Sequence, residues 1–164
     1  MTNIITTPSR ALQVILSDTA DIPTPYLITS GVATDDTVGQ LVDENNNFID
    51  AGVNIGDIVY LLDTATSVTI IGVTRDTLTF QEGATVTTGD TYSIYQQSPI
   101  TGSQNQGCLL YFNSTVPNEG SLKVTTAGND IVLFEGLSSG VLPVRVKKAW
   151  RDGRENNGIV IALW

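Results

Sequence analysis

Histidine is missing from this chain altogether, which removes the usual general base and the commonest protein metal ligand. Ser-His-Asp and Cys-His catalytic sites are therefore excluded. Zinc sites built on histidine or on paired cysteines go with them, because the chain has a single cysteine, Cys108. One thiol makes no internal disulfide. Its setting, Gly107-Cys108-Leu109-Leu110-Tyr111-Phe112, is that of a small buried hydrophobe, in keeping with synthesis in a reducing cytoplasm. Neither GxxxxGK[ST] nor GxGxxG opens a helix, so no phosphate cradle is expected. No apolar run approaches the roughly 20 residues that span a bilayer. The opening Met1-Thr2-Asn3-Ile4-Ile5-Thr6-Thr7-Pro8 lacks the basic region and apolar stretch of a signal peptide. Carboxylate pairs of the glycosidase kind are the one catalytic option left open, since spacing in sequence says little about separation in space. The expectation is a protein that is not an enzyme and carries no cofactor and no catalytic or metal site.

Basic charge is also scarce. Eight Lys and Arg stand against 17 Asp and Glu, for a net charge of −9. That balance argues against non-specific nucleic-acid binding, which rewards a basic footprint. The distribution is uneven: the chain carries a net −12 up to Leu142 and +3 from Pro143 onward. Five basic residues, Arg145, Lys147, Lys148, Arg151 and Arg154, make that difference. A dipolar subunit of this kind docks its basic end on an acidic neighbour, a copy of itself included. The plain alternative is an edge strand protected from aggregation by its charge.

What the chain has in quantity is Thr, Val, Ile, Gly and Asp. These are strand and turn formers, and they set an all-β expectation with little helix, a small β-barrel or sandwich unit plus a C-terminal antiparallel β module. The best helical candidate, residues 37–50, is broken by Gly39 and an Asn run. Residues 9–17 hold a first strand, ended by Asp18 and the Pro23/Pro25 pair, and 26–33 a second. Short strands at 58–62, 67–74, 77–81 and 91–95 are separated by turns, as in a small barrel or sandwich over about 53–95. Ser, Pro, Gly, Gln and Asn then cluster without periodicity. The division that follows is an N-terminal β region at 1–98, a linker at 99–106 and a C-terminal module at 107–164. One topology pairs the first strand with the C-terminal module and makes the 53–95 unit an insertion. Asp43-x-Asn45-x-Asn47 opens like a calcium loop, but Phe48 stands where the turn glycine belongs and Asn54 where the bidentate Glu belongs. A plain solvated loop is expected there.

The last 45 residues are the most patterned. Leu122 and Val124 alternate with Lys123 and Thr125. Ala127-Gly128-Asn129-Asp130 offers residues that tolerate positive φ, and Ile131 to Phe134 follow as an apolar run. In the terminal strand Ile159, Ile161 and Leu163 point one way and Val160, Ala162 and Trp164 the other. Neither face is polar. A strand apolar on both faces needs covering twice, by a second layer or by another subunit. Trp150, at the end of Val144-x-Val146-x-Lys148-x-Trp150, and Trp164 are expected as packing or contact anchors.

These residues carry a resemblance. Leu122-Lys123-Val124, the Ala127-to-Asp130 hairpin, the strand ending in Phe134, Gly140-Val141-Leu142-Pro143-Val144-Arg145-Val146 and the Ile159-to-Trp164 strand together resemble the head-spike base proteins of gene transfer agents and related virion proteins of tailed phages. The likeness covers about the last third of the chain. It departs in the loop Arg151-Asp152-Gly153-Arg154-Glu155-Asn156-Asn157-Gly158, charged here but small and Thr/Gly-rich in that family. The resemblance implies a structural virion protein, made in the host cytoplasm and placed on the capsid exterior as a decoration, a cement or a spike base. Its implied partners are copies of itself in a homo-oligomer and the major capsid protein or another virion protein, with no nucleic acid and no membrane. Tail, collar or fibre-attachment placement is one alternative. A host-glycan-binding module using exposed Tyr and Trp is the other. Arg145, Lys147, Lys148, Trp150, Arg151, Arg154 and Trp164 are the candidate interface residues.

Overall fold

The computed structural model describes residues 8–97, 100–101, 104–151 and 158–164. Sixteen strands and no helix occur among the described residues. In chain order they are β1 (Ala11–Gln13), β2 (Leu27–Val32), β3 (Thr37–Val38), β4 (Gln40–Val42), β5 (Ile58–Leu61), β6 (Thr66–Val73), β7 (Thr77–Phe80) and β8 (Thr85–Val86). There follow β9 (Thr91–Tyr95), β10 (Ile100–Thr101), β11 (Gln104–Asn105), β12 (Cys108–Asn113), β13 (Gly120–Thr126), β14 (Ile131–Leu137), β15 (Gly140–Ala149) and β16 (Ile159–Leu163). All pairings are antiparallel, and the protein is all-β with no closed barrel.

Two six-stranded sheets organise the chain. One runs β2-β9-β5-β6-β7-β4, the other β1-β16-β12-β15-β13-β14. The first strand thus pairs with the last, Ala11 opposite Leu163 and Gln13 opposite Ile161, and everything between Leu27 and Tyr95 lies within an excursion from that sheet. The excursion takes in β2 and β4 as its edge strands, so it begins well before residue 53. Thr34 nearly joins those edges by donating its N–H to the Val42 carbonyl at 2.8 Å. The region expected as a linker holds the short β10–β11 pair.

Each sheet has its own core. Leu41, Phe48, Val59, Leu61, Val68, Ile70, Leu78, Tyr92 and Ile94 fill the first. β5 is buried at all four positions, which explains its unbroken Ile-Val-Tyr-Leu sequence. Leu110, Phe112, Leu122, Val124, Val146, Val160 and Ala162 fill the second. Val14, Leu16 and Ile22 close over that core, because after β1 the chain crosses from β16 to β15: Val14 donates to the Val160 carbonyl, Ser17 to Ala149 and Ile22 to Lys147.

A third, smaller core joins the two units. Leu12 and Ile15 pack with Ala20 on Ile58, Tyr60 and Tyr95. Ser17 reinforces the junction: its hydroxyl lies 3.1 Å from the Ser67 carbonyl and accepts the Ala20 N–H at 2.9 Å. The Tyr60 hydroxyl is buried here without a hydrogen-bond partner. Burial pushes that phenol upward.

The Asn-rich loop is not a plain solvated one. Asp43 is only 3% exposed, and its carboxylate accepts the Tyr92 hydroxyl at 2.6 Å and the Asn45 N–H at 3.0 Å. Asn46 adds a bond from its amide to the Tyr92 oxygen at 3.0 Å. A buried carboxylate needs such donors to offset its lost hydration. The loop is therefore pinned to the core, with Gly31 leaving room for it: a Cβ there would lie 2.5 Å from the Tyr92 oxygen and 2.6 Å from the Asp43 carboxylate.

Candidate assembly surface

The C-terminal sheet buries one face and leaves the other open. Leu110 opposite Ala162 and Phe112 opposite Val160 point into the core. By alternation their neighbours Leu109 opposite Leu163, Tyr111 opposite Ile161 and Asn113 opposite Ile159 share the outer face. Val141 pairs with Tyr111 from the other side, so Ile161, Tyr111 and Val141 form one row across three strands. Val141 is 53% exposed and Ile159 46%. On the outer side of β14, Ile131 and Leu133 are 60% and 49% exposed, opposite Thr125 and Lys123; β13 packs its inner side toward Phe112 of β12, a Cβ on Gly120 falling 2.4 Å from that ring. An apolar outer face of this extent is what contact surfaces leave open in an isolated subunit.

Two irregularities decide what else reaches that face. Pro143 has no N–H to give a ladder, and the pairing of β12 with β15 is interrupted there: Leu110 meets Leu142 and the next pair is Cys108 with Val146. Two extra residues on β15 preserve the alternation, so Leu142 and Val146 both stay buried. The second irregularity is a single extra residue. Thr126 opposes Val146, whereas Thr125 opposes Lys148, which leaves Lys147 bulged and inverts the alternation beyond it. Val146 and Ala149 both point inward. Trp150 therefore lies on the face opposite Val146, whereas the Val144-x-Val146-x-Lys148-x-Trp150 spacing would put all four on one side of a regular strand.

The bulge creates a local constellation. Trp150 donates its backbone N–H to the Lys123 carbonyl at 2.9 Å and its indole N–H to the Thr125 hydroxyl at 2.9 Å. The ammonium groups of Lys123 and Lys148 lie 4.6 and 5.1 Å from the ring centroid, within the range of cation–π attraction. Trp150 is half-buried, with both cations against its ring. Lys148 was expected from its position in sequence; Lys123, two strands away in chain order, was not. Only the pairing of β13 with β15 brings it in.

The remaining expected interface residues have other places. Arg145 is exposed and donates through Nε to the Gln106 carbonyl at 3.1 Å. Lys147 bonds the Asn129 side chain across the β13–β14 turn, where Asn129 takes φ 72°. Arg151 reaches the other unit, donating to the Ala65 carbonyl at 3.1 Å. Ala65 itself sits at φ 48°, an uncommon conformation for a residue with a Cβ. Part of the basic segment is therefore used inside the chain. Trp164 is half-buried against the C-terminal core and holds β1 through its N–H to the Arg10 carbonyl. Arg154 lies outside the described residues.

Cys108 is buried and its thiol is pushed up to about 12 by desolvation, Arg145 pulling slightly the other way. No group of three or more Cys, Asp or Glu that would hold a metal ion occurs among the described residues, and no described helix is long and apolar enough to cross a membrane. No protein-family profile, curated protein or solved structure matches the chain.

Proposed function

We propose that this protein is a non-enzymatic structural subunit that assembles through the outer face of its C-terminal sheet, and that its setting is the virion of a tailed phage. The row of Ile161, Tyr111 and Val141, with Val141 and the nearby Ile159 about half exposed, is the observation that carries the assembly reading. The likeness of residues 120–164 to head-spike base proteins supports the virion setting. In this reading copies of the chain form a homo-oligomer on the capsid exterior, attached to the major capsid protein or another virion protein. Many weak contacts per particle then become firm attachment through multivalency.

The test is native mass by light scattering, followed by mixing with empty shells of the parent phage. An oligomer that decorates shells is the expected result, and Ile161→Glu or Val141→Glu should abolish both steps while leaving the melting curve intact. A wild-type chain that stays monomeric at high concentration and ignores shells overturns the proposal. Copy number per particle separates a shell lattice from a collar, tail or fibre-attachment position.

A further inference from the structure

The C-terminal sheet ends on β14, which pairs with β13 on one side and with no strand on the other among the described residues. Its main chain decides what that free side can accept. Thr126 donates its N–H to the Asp130 carbonyl, and the carbonyl of Lys123, the residue opposite Leu133, is taken by the Trp150 N–H from beyond β15. In an antiparallel ladder the N–H and C=O of one residue point to the same side, and successive residues alternate. Asp130, Val132 and Phe134 therefore turn their main-chain groups to β13. Ile131 and Leu133 turn theirs outward, to the free side.

Natural edges of this kind are blunted by lysine, proline or a bulge. Ile131-Val132-Leu133-Phe134 carries no charge and no proline, and the bulge of this strand, at Glu135 and Gly136 where Gly136 takes φ 65°, lies beyond it. Both sides of the segment are apolar. Ile131 and Leu133 are exposed on the outer side, while Val132 and Phe134 are half-buried against the C-terminal core. A strand laid beside β14 continues both layers, so it must itself be apolar on both sides. Of the four strands that end the two six-stranded sheets, β14 meets that condition: β1 and β4 are three residues long, and β2 carries Thr29-Ser30-Gly31 at its centre.

We infer that β14 pairs antiparallel with β14 of a second copy of this chain, about a two-fold axis at Val132, so that the two C-terminal sheets run on as one. In this register Ile131 of each copy exchanges both main-chain bonds with Leu133 of the other, and the two side chains meet on the outer side. Val132 meets its own counterpart on the inner side. A slip of one residue would set inner side chains against outer ones, and a two-fold axis at Leu133 would set Ile131 against Glu135. The register at Val132 instead carries Glu135, the one charge of the strand, toward the 127–130 turn of the other copy, where the Lys147 ammonium is bonded by the neutral Asn129 amide. Such a contact is isologous and closes at a dimer. It uses the edge of the sheet where the assembly reading above uses its face, so the two stand or fall separately.

The experiment uses the full chain. Leu133→Pro removes an N–H that points away from β13 and so costs no bond of the native ladder, and Ile131→Lys places a charge on the same edge; melting curves check both, and Ile131→Lys carries the test if the proline variant melts lower. Sedimentation at matched concentrations should show these variants associating at least about tenfold more weakly than wild type. Val132→Cys should give a disulfide-linked dimer with oxidised glutathione, because directly opposed side chains lie about 4.5 to 5.5 Å apart at Cβ, near the spacing of a disulfide. Wild type, whose one thiol is buried, should not link. Edge variants that associate like wild type, or a Val132→Cys protein that associates without linking, overturn the inference. Association that survives the edge changes but is lost in Ile161→Glu leaves the face reading standing without this one, and loss in the edge variants alone does the reverse.

Discussion

Replacing Asp43 tests whether the loop after β4 is held by a buried charge. In Asp43→Ala the Tyr92 hydroxyl loses its acceptor at 2.6 Å and the Asn45 N–H loses its acceptor at 3.0 Å. Hydrogen bonds to a charged group contribute about 1.5 to 3 kcal/mol each. Water entering the vacated space offsets part of that, so a net loss of about 3 to 4 kcal/mol is expected. Set against a total stability of about 5 to 15 kcal/mol, that is a large fraction. It corresponds to a fall in Tm of roughly 10 °C for a chain of this size. Asp43→Asn keeps one acceptor oxygen and should lose about half as much. Tyr92→Phe supplies the other arm of a double-mutant cycle, with a coupling of about 1 to 2 kcal/mol between the two side chains. Urea unfolding followed by far-UV circular dichroism reads the wild type, the three single variants and the Asp43→Ala/Tyr92→Phe double variant. A loss below about 1 kcal/mol for Asp43→Ala would show that the buried carboxylate holds nothing, and the account of this loop would fail.

Tyr60→Phe removes a buried hydroxyl without a partner and should leave stability unchanged or raise it by about 1 kcal/mol; a loss above about 1 kcal/mol in the same urea assay contradicts the packing described at the junction. Burial raises Tyr60, burial and the Asp43 hydrogen bond raise Tyr92, and burial raises Cys108 to about 12. Stability from these groups is fully present below their unfolded values, about 8.5 for the thiol and 10 for the phenols, and is lost as pH rises toward the folded ones. A urea series should therefore show stability falling from about pH 9 upward, and a flat profile to pH 11 refutes the burial of these groups. Cys108 should react with a thiol reagent only as fast as the chain opens, with full labelling in denaturant; rapid labelling of the folded protein would place the thiol at the surface.

Much of the fold is legible in residue order because strand periodicity is local. Alternation in Thr77–Phe80 and in Leu122 to Val124 places one side chain in each pair inward, and both strands follow it. The doubly apolar Ile159-to-Trp164 strand declared that two coverings were needed. One is the core beneath it; the other is the open face from which the proposed function is argued. Cys108, with its Gly and Leu neighbours, read as buried and is 1% exposed.

What the sequence could not specify follows from register. A single bulged residue, Lys147, turns Trp150 to the opposite face from Val146, and no pattern of residue types marks where an extra residue will be accommodated. Lys123 joins Lys148 at that tryptophan only because β13 pairs with β15. Asp43 read as a polar loop residue; its burial depends on Tyr92, 49 positions away, meeting it across the unit. Composition and alternation therefore determined an acidic, all-β chain with too much apolar surface for one layer. Tertiary pairing decided which side chains share a face and which carboxylate is buried, because those contacts join residues whose separation along the chain carries no information about their distance in space.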